Sequence, residues 1–257
     1  MAKQSSKLLD RLFHSRALSR WTAAAKSAPM AELETLRTQR QNARQLRGRL
    51  NEVIHVADSR LALPRVGSNA FPRPPGTHWS WRPNTWRGPL AEPGITAVET
   101  KAKFGQEVTI FHDCKNSEIT LRQLRNTREE DLAPFALRMD VLGFDGGFLS
   151  LVLDLPLDAA AGVSRRHVIR LNALLAVESR IEIFARLNIK HGPNTEQMTV
   201  EIPTDREDLM VEFDLAYADI NEQRVERMWL DLIFEGPAMN QITLRDLTFC
   251  RYPRAEL

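Results

Sequence analysis

The sequence has little cysteine and no long uninterrupted apolar segment. Cys114 and Cys250 are the only cysteines in 257 residues, a number that fits one disulfide or a reducing compartment equally well. No run of 18 apolar residues occurs, so no transmembrane helix is expected. Near the N-terminus, Leu8 and Leu9 are followed at once by two charged residues, unlike the core of a signal peptide. We therefore expect a cytoplasmic protein.

Familiar catalytic motifs are also lacking. The sequence has no Gly-x-Ser-x-Gly elbow, Walker loop, dinucleotide-binding glycine fingerprint or His-Glu-x-x-His zinc helix, and its six histidines are scattered. His112, Asp113 and Cys114 form a local trio, but adjacent strand residues point to opposite faces, which separates Asp113 from the other two. We therefore expect no enzyme activity, no metal site and no cofactor.

A dense group of charges spans residues 125–131. Its carboxylates are of the type that serves as an acid/base pair or that ligates calcium. A charged loop with internal salt bridges is the interpretation that we favour, because such loops are commoner than either site. This loop therefore does not change the expectation of a non-catalytic protein.

The charge of the chain is distributed unevenly. Residues 1–63 contain twelve Lys and Arg against five Asp and Glu, whereas the remainder contains twenty-three against twenty-eight. The two regions should therefore attract each other or have different partners. Nucleic acid is not an expected partner, because no known nucleic-acid-reading module accompanies the basic residues.

Residues 5–27 are predicted to form a helix rich in Ala, Leu, Lys and Arg. A short apolar patch, followed two turns later by Trp21, is surrounded by basic residues. The patch consists of Leu8, Leu9, Leu12 and Phe13. A basic amphipathic helix is able to lie on an anionic membrane, which makes peripheral membrane contact one interpretation. Packing against the next helix is the alternative that we favour.

A second helix is predicted from residue 31 to about residue 61, after the break at Pro29. Leu36, Ala43, Leu50 and Ala57 recur seven residues apart, which is typical of a coiled-coil seam with polar interruptions. We interpret residues 1–63 as a basic helical region that forms an αα-hairpin or a seam for homo-oligomerisation.

Residues 64–94 form a linker that contains seven prolines, which are predicted to exclude regular structure. Trp79, Trp81 and Trp86 lie within eight residues, and each indole has roughly 150–250 Å² of surface to bury. One interpretation is a strap whose indoles cover the open side of the next domain. The other is an aromatic surface that stacks on sugar rings or on a partner protein.

From residue 95 onward the sequence changes to short strand-like runs without helix-length patterns between them, apart from short helices at 158–164 and 220–225. This texture predicts an antiparallel sandwich or barrel rather than a parallel α/β sheet. The predicted strands are 96–104, 107–112, 118–122, 136–142, 148–155, 167–176, 180–190, 197–202, 210–217, 228–235 and 241–251. Turns are expected at 143–147, as a hairpin, and at 191–194.

The last two runs are predicted to form a closing hairpin. Residues 228–235 alternate strictly, whereas the final run slips by one residue after Leu244, and a β-bulge near Asp246 would keep both halves facing inward. We therefore predict a mainly β protein. An antiparallel jelly-roll-like β-sandwich over residues 95–257 follows the N-terminal helical hairpin and the Pro/Trp-rich linker.

Alternation divides the strand residues into two faces. The predicted core face comprises Leu137, Met139, Val141, Leu149, Leu151, Leu153, Leu155, Ile181, Ile183, Leu187, Ile189, Val211, Phe213, Leu215, Leu230, Leu232 and Phe234. The opposite face carries the candidate ligand-binding residues Phe184, Arg186, Asn188, Asp214, Trp229 and Asp231, to which the strap adds Trp79, Trp81 and Trp86. Such donors, acceptors and flat rings suit sugar hydroxyls and the apolar side of a sugar ring. An ordinary solvent-facing sheet surface is the alternative.

Segments 124–132, 189–197 and 234–254 resemble an uncharacterised bacterial family of unknown function. More loosely, residues 229–234 and 242–249 are similar to the closing strands of jelly-roll carbohydrate-binding modules, which bind glycans on a concave sheet face. This resemblance implies a non-catalytic protein that binds a carbohydrate or polysaccharide. The alternative is a structural or scaffolding protein that self-associates, or docks to a partner or a membrane surface, through its N-terminal helices.

Overall fold

The computed structural model describes residues 2–62 and 70–255, and the chain divides into two compact units, Met1–Ile54 and His55–Leu257. In the first unit, helix α1 (Ala2–Ser27) is followed by a 3-10 turn (Ala28–Met30) that contains Pro29. Helix α2 (Leu33–Ala62) then begins, and it continues beyond the boundary of the unit. Both predicted helices are therefore confirmed. None of the helices within the described ranges has an apolar stretch that would cross a bilayer.

Most of the described side chains in the first unit face solvent. In the predicted seam, Leu36 and Ala43 are half-buried while Leu50 is exposed. The side chain of Ala57 lies outside the described residues, as do those of Leu8, Leu9 and Leu12 in the predicted apolar patch. Self-association through the seam stays a prediction.

Thirteen strands form in the described part of the second unit. They are β1 (Trp79–Trp81), β2 (Gly94–Thr96), β3 (Ala102–Phe104), β4 (Val108–His112), β5 (Ile119–Arg125), β6 (Phe135–Val141), β7 (Leu149–Asp154), β8 (His167–Val177), β9 (Glu182–His191), β10 (Asn194–Ile202), β11 (Asp208–Asp214), β12 (Val225–Glu235) and β13 (Asn240–Pro253). Short helices α3 (Asn84–Arg87) and α4 (Leu157–Ala160), and 3-10 turns at Leu215–Tyr217 and Glu222–Arg224, complete the unit.

Within the described residues, these strands form two antiparallel sheets. The seven-stranded sheet has the order β11-β8-β13-β6-β5-β2, and β1 pairs with the second half of the long strand β13. The six-stranded sheet has the order β10-β9-β12-β7-β4-β3. The predicted mainly β fold, with two antiparallel sheets after an N-terminal helical part, is confirmed.

Strand alternation places the predicted core correctly. Every residue of the predicted core face is buried, and these side chains belong to one hydrophobic cluster between the sheets. Successive strand residues point to opposite faces, so each strand contributes every second residue to this cluster. Each large apolar side chain buried in this way stabilises the fold by roughly 1.5–3 kcal/mol.

The predicted closing hairpin is wrong. Strand β12 pairs with β9 and β7, whereas β13 pairs with β6, β8 and β1, so that consecutive strands lie in opposite sheets. The turn at 143–147 likewise joins β6 to β7 across the two sheets. Alternation indicates which residues face the core, but both sheets face the same core. The pattern is therefore the same for a hairpin and for a crossing between sheets.

Two local predictions are confirmed. The turn at 191–194 closes the β9–β10 hairpin, in which His191 pairs with Asn194 and Gly192 has the positive φ of 60° that favours glycine. The register of β13 against β8 shifts between Leu244 and Asp246. Arg245 is thus the extra residue of the predicted β-bulge.

The Pro/Trp-rich segment packs as part of the β unit. Trp86 is fully buried in the core, and Trp79 and Trp81 are half-buried against it. The three indoles therefore pack as the strap interpretation predicts, while the bounds of the strap at residues 64 and 94 stay a prediction. The expectation that prolines exclude regular structure is wrong for residues 79–87, because β1 and α3 form in the gaps between Pro75, Pro83 and Pro89.

Side chains of the strap and of the loop after β5 donate to backbone carbonyls at the bulge. The indole N–H of Trp86 donates to the carbonyl of Leu244 at 2.9 Å, and Nδ2 of Asn126 donates to the carbonyl of Arg245 at 2.8 Å. Buried carbonyls need such partners, since each one left unpaired costs about 1–3 kcal/mol. The strap, through Trp86, and the loop after β5, through Asn126, therefore both stabilise the bulge.

Candidate binding groove

An open groove of about 660 Å³ lies on the outer face of the six-stranded sheet. Its floor is formed by β4, β7, β9 and β12, which are neighbours in that sheet. The groove is defined by Thr109, Phe111, Phe148, Ser150, Val152, Asp154, Arg186, Arg227, Trp229, Asp231 and Ile233.

Strand register brings the polar residues of the groove together. Asp231 of β12 pairs with Arg186 of β9 on one side and with Val152 of β7 on the other. One pair of residues along, Trp229 lies between Asn188 and Asp154 in the same way. Cross-strand neighbours have Cβ atoms about 4.5–5.5 Å apart. Their side chains therefore form one continuous surface.

Asp231 is the centre of a hydrogen-bond network. Its Oδ2 atom accepts from Nε of Arg186 at 2.9 Å, from Nη2 of Arg186 at 2.7 Å and from Nδ2 of Asn188 at 3.1 Å. Nε2 of Gln197 donates to Oδ1 of Asn188 at 2.9 Å. In the described part of the chain, all hydrogen bonds to the carboxylate of Asp231 are to Oδ2. The carboxylate is therefore held in one orientation, and its Oδ1 atom retains accepting capacity.

Trp229 provides the aromatic surface of the groove. Its indole is half-buried, and Cζ of Arg227 lies 4.7 Å from the ring centroid. A guanidinium at this distance is attracted to the face of the ring. Trp229 and Arg227 thus form a stacked pair beside the network around Asp231.

The other half of the groove is mainly apolar. Phe111, Val152 and Ile233 are half-buried, and Phe148 is 47% exposed. Ser150 lies among them, and its buried Oγ atom has no hydrogen-bond partner within the described residues. A buried polar atom without a partner is rare in folded proteins. The hydroxyl of Ser150 therefore marks unused hydrogen-bonding capacity on the floor of the groove.

The loop that carries Phe148 is fixed by Asp113. The carboxylate of Asp113 accepts from the backbone N–H of Gly147 at 2.7 Å and from that of Phe148 at 3.1 Å. The N–H of Phe148 and then that of Gly147 hold the pKa of Asp113 below its usual range. A Cβ atom on Gly146 would overlap Oδ1 of Asp113 and would lie 3.0 Å from the backbone nitrogen of Cys114, so this close approach needs glycine.

The remainder of the predicted trio has structural partners. Nε2 of His112 lies 2.8 Å from the carbonyl of Val98, and Nδ1 accepts from the N–H of Cys114 at 3.2 Å. This pattern requires the proton on Nε2. Burial raises the pKa of the Cys114 thiol. Across the described residues, no three His, Cys, Asp or Glu side chains are arranged to hold a metal ion.

Within the described residues, the charged side chains of loop 125–131 form ion pairs with residues elsewhere in the chain instead of the internal salt bridges that were predicted. Arg245 donates to Asp131 at 2.7 Å and to Glu207 at 2.6 Å, and Arg128 donates to Glu207 at 3.1 Å. Arg245 is the extra residue of the bulge, so its side chain points towards this loop. The charges of the loop therefore tie it to the bulge.

The structure divides the predicted ligand-binding residues into two groups. Phe184, Arg186, Asn188, Trp229 and Asp231 all lie on the outer face of β9 and β12. The other predicted residues, Asp214, Trp79, Trp81 and Trp86, belong to the seven-stranded sheet or to the strap. Only the first group therefore lies at or beside the groove.

The prediction that Trp86 binds a ligand is wrong, because its ring is fully buried and its N–H is occupied. Trp81 lies with its ring 5.8 Å from that of Phe249. Asp214, on β11, pairs with Arg254 at 2.9 Å and caps the following turn through the N–H of Ala216.

The ligand-binding residues predicted from the sequence did not include three residues of the groove, Thr109, Phe111 and Arg227. Arg227 has the same strand phase as Trp229 and Asp231, so extending the alternation of β12 by one step would have found it. Thr109 and Phe111 alternate with buried Val108 and Ile110 in β4. Their proximity to β12 depends on strand order, which alternation does not contain.

Comparison with known proteins identifies the family of the chain. The chain belongs to DUF6478, a family of unknown function. The match covers residues 1–257, and the predicted membership in an uncharacterised family is thereby confirmed. No curated protein matches this DUF6478 member.

Several solved structures are similar to part of the chain. The family 11 carbohydrate-binding module from Clostridium thermocellum, in complex with a beta-1,3-1,4-mixed-linked tetrasaccharide, is 9% identical with a TM-score of 0.40; the match covers 62% of this chain and 96% of that module. The CBM22-1 xylan-binding domain of Paenibacillus barcinonensis Xyn10C is 10% identical with a TM-score of 0.37, covering 63% and 94%. The similarity to carbohydrate-binding modules expected from the sequence is therefore found.

A similarity of the same order extends to an enzyme domain. The enzymatically active domain of bacteriophage CBA120 tailspike protein 4 is 8% identical, with a TM-score of 0.41. The match covers 60% of this chain but only 21% of the tailspike chain.

Proposed function

We propose that the groove binds a carbohydrate, and that the protein is a non-catalytic polysaccharide-binding protein. The observation that carries this proposal is the oriented Asp231–Arg186 pair beside the half-exposed indole of Trp229. A sugar offers hydroxyl groups that both donate and accept, next to a ring face of C–H groups. An oriented carboxylate, a guanidinium and an aromatic ring match these features.

The hydrogen-bond network orders the binding groups of the groove before any ligand binds. Arg186 and Asn188 already hold the Asp231 carboxylate in place, so a ligand does not have to order it. Side chains that are ordered in advance lose less entropy on binding, which leaves more free energy for affinity. The unused Oγ of Ser150 and the hydroxyl of Thr109 add further groups able to bond to sugar hydroxyls.

The aromatic and apolar half of the groove supports the same proposal. Phe111, Phe148 and Ile233 provide apolar surface on one side of the polar centre. Arg227 occupies one face of Trp229, so a sugar ring would either share the indole with the guanidinium or displace it. An open groove, rather than an enclosed pocket, suits the binding of an internal segment of a polysaccharide, because the polysaccharide has to continue beyond the site at both ends.

Affinity electrophoresis through gels that contain soluble polysaccharides tests the proposal. We expect retardation by at least one polysaccharide, and we expect Trp229→Ala to weaken binding about tenfold through loss of the aromatic contact. Tyr217→Ala is a matched control, because Tyr217 is 79% exposed and lies outside the groove. Migration unchanged by every polysaccharide at high protein concentration would exclude the proposal.

The non-catalytic part of the proposal has a separate test. A bound polysaccharide should be recovered with its chain length unchanged after long incubation. Release of reducing ends that depends on Asp154 or Asp231, the two carboxylates of the groove, would instead show a hydrolase.

A docking role for the N-terminal helices is the second candidate function. It is favoured by exposed apolar side chains along α2, of which Leu50 is 50% and Val53 is 65% exposed. Apolar groups clustered on a surface commonly mark a site of interaction. Light scattering by the full chain, compared with a Leu50→Ser/Val53→Ser variant, tests whether the partner is a second copy.

A further inference from the structure

Helix α2 has an apolar stripe between residues 36 and 54, interrupted by Gln39. At 100° per residue, Leu36, Ala43, Leu46, Leu50 and Val53 fall within an arc of roughly 100°. The more C-terminal members of the stripe face solvent: Leu46 is 39% and Leu50 is 50% exposed. This stripe therefore has apolar surface available to a partner.

A stripe of arginines runs beside the apolar one. Arg37, Arg40, Arg44 and Arg47 follow each other at intervals of three or four residues, so they share an arc of roughly 80°. All four are exposed. No Asp or Glu occurs between Glu34 and Glu52. This part of α2 therefore presents one apolar and one strongly positive stripe side by side.

Charge decides which partner fits this surface. Between residues 35 and 51, a second copy of α2 would bring no acidic side chain to the flank of the seam, so it would not neutralise the arginine stripe there. An anionic lipid surface does so, and it also accepts the apolar stripe without requiring matched knobs and holes. Long arginine side chains are able to bury their stems beside the apolar stripe while the guanidinium stays at the level of the phosphates.

We propose that residues 33–54 of α2 bind the surface of an anionic lipid membrane, with the helix lying parallel to the bilayer. The apolar stripe inserts between the headgroups, and the arginine stripe contacts lipid phosphates. This inference rests on the docking role given above as the second candidate function, and it is independent of the glycan site.

Flotation of the full chain with lipid vesicles tests the proposal. The chain should float with vesicles of phosphatidylcholine and one third phosphatidylglycerol, should not float with phosphatidylcholine alone, and should be released by high salt. The triple variant Arg40→Gln/Arg44→Gln/Arg47→Gln should bind on the order of a hundredfold more weakly. Leu50→Ser/Val53→Ser should also lose binding.

Matched controls separate the two stripes from general effects. Lys115→Gln/Arg166→Gln/Arg206→Gln makes the same change in charge at exposed positions of the β unit, and it should float like the unchanged protein. Leu142→Ser/Met210→Ser removes two exposed apolar side chains from the β unit, with the same expectation. Far-ultraviolet circular dichroism of every variant shows whether the helices persist.

Each other outcome overturns a defined part of the proposal. If the unchanged chain does not float with anionic vesicles, α2 is not a lipid-binding surface. If it then forms oligomers in light scattering that Leu50→Ser/Val53→Ser dissociates, the stripe is occupied by a second copy and the docking role stands. If neither occurs, the docking role fails as well. Affinity electrophoresis on the same samples reports the glycan site separately.

Discussion

The guanidinium of Arg82 forms a buried bidentate pair with the carboxylate of Asp246. Nε lies 2.8 Å from Oδ1 and Nη2 lies 2.7 Å from Oδ2, and Arg82 is 1% exposed. Arg82 follows strand β1 of the strap, and Asp246 is the first residue after the bulge of β13. Sequence segments 164 residues apart are thus joined by one charged pair. The pair holds the strap at the point where the β13 ladder is interrupted.

Removal of this carboxylate should destabilise the β unit strongly. Asp246→Ala leaves the buried Arg82 without its carboxylate, and it also removes the acceptor of the Leu247 N–H. We expect a loss of about 3 kcal/mol in the free energy of unfolding, measured by urea denaturation. Asp208→Ala, at an exposed position in the same sheet, should change stability by about 0.5 kcal/mol or less. Equal stability of both variants would show that the pair is not what anchors the strap.

The bulge and the core could be predicted from the sequence, because both follow from the alternation of apolar residues along a single strand. The slip from Leu244 to Leu247 changes the phase by one residue, and only an extra residue such as Arg245 keeps both sides inward. The partner of the bulge, Arg82, could not be predicted in this way. Arg82 looked like part of a proline-rich linker, and its contact with Asp246 depends on the path of the strap in three dimensions.

The candidate site was predictable in composition but only partly in location. Alternation placed Arg186 and Asp231 on outward faces, and the antiparallel pairing of β9 with β12 then made them neighbours. The same alternation placed Asp214 on an outward face, but β11 belongs to the other sheet. The alternation of residues identifies the face of a strand on which a side chain lies, but it does not identify the sheet to which that strand belongs. The cytoplasmic location expected from the sequence stays a prediction.

The phenol of Tyr252 should lose its proton only at an unusually high pH. Burial, followed by its hydrogen bond to Glu212, raises the pKa of Tyr252 to about 12. The chain has two tyrosines, so in the Tyr217→Phe variant the tyrosinate absorbance reports Tyr252 alone. We expect its midpoint near 12, against an ordinary value of about 10 in the unfolded chain. Glu212→Gln should lower the midpoint without restoring the ordinary value, because burial remains.

The same shift has a consequence for stability. Because the folded state holds the phenolic proton more tightly than the unfolded state, the contribution of Tyr252 is fully present below pH about 10 and is lost as pH rises towards 12. Unfolding curves should therefore show a decline over this interval that is smaller in Tyr252→Phe. An identical decline in both proteins would assign it to other groups.

The Asp231 carboxylate should contribute to ligand affinity through its charge and its fixed orientation. Asp231→Asn preserves the size of the side chain but removes the charge that holds Arg186 and Asn188. Once a retained polysaccharide is found, we expect its affinity to fall roughly tenfold or more, as is typical when a hydrogen bond to a charged group is lost. Isothermal titration calorimetry measures this change.

Asp214→Asn is the informative control for this comparison. Sequence alternation gives both aspartates the same outward phase, but Asp214 lies in the seven-stranded sheet and pairs with Arg254. Its substitution should leave affinity unchanged if the groove is the site. Weaker binding in Asp214→Asn with unchanged binding in Asp231→Asn would move the ligand to the seven-stranded sheet. The difference between the two variants therefore reports which sheet carries the binding face.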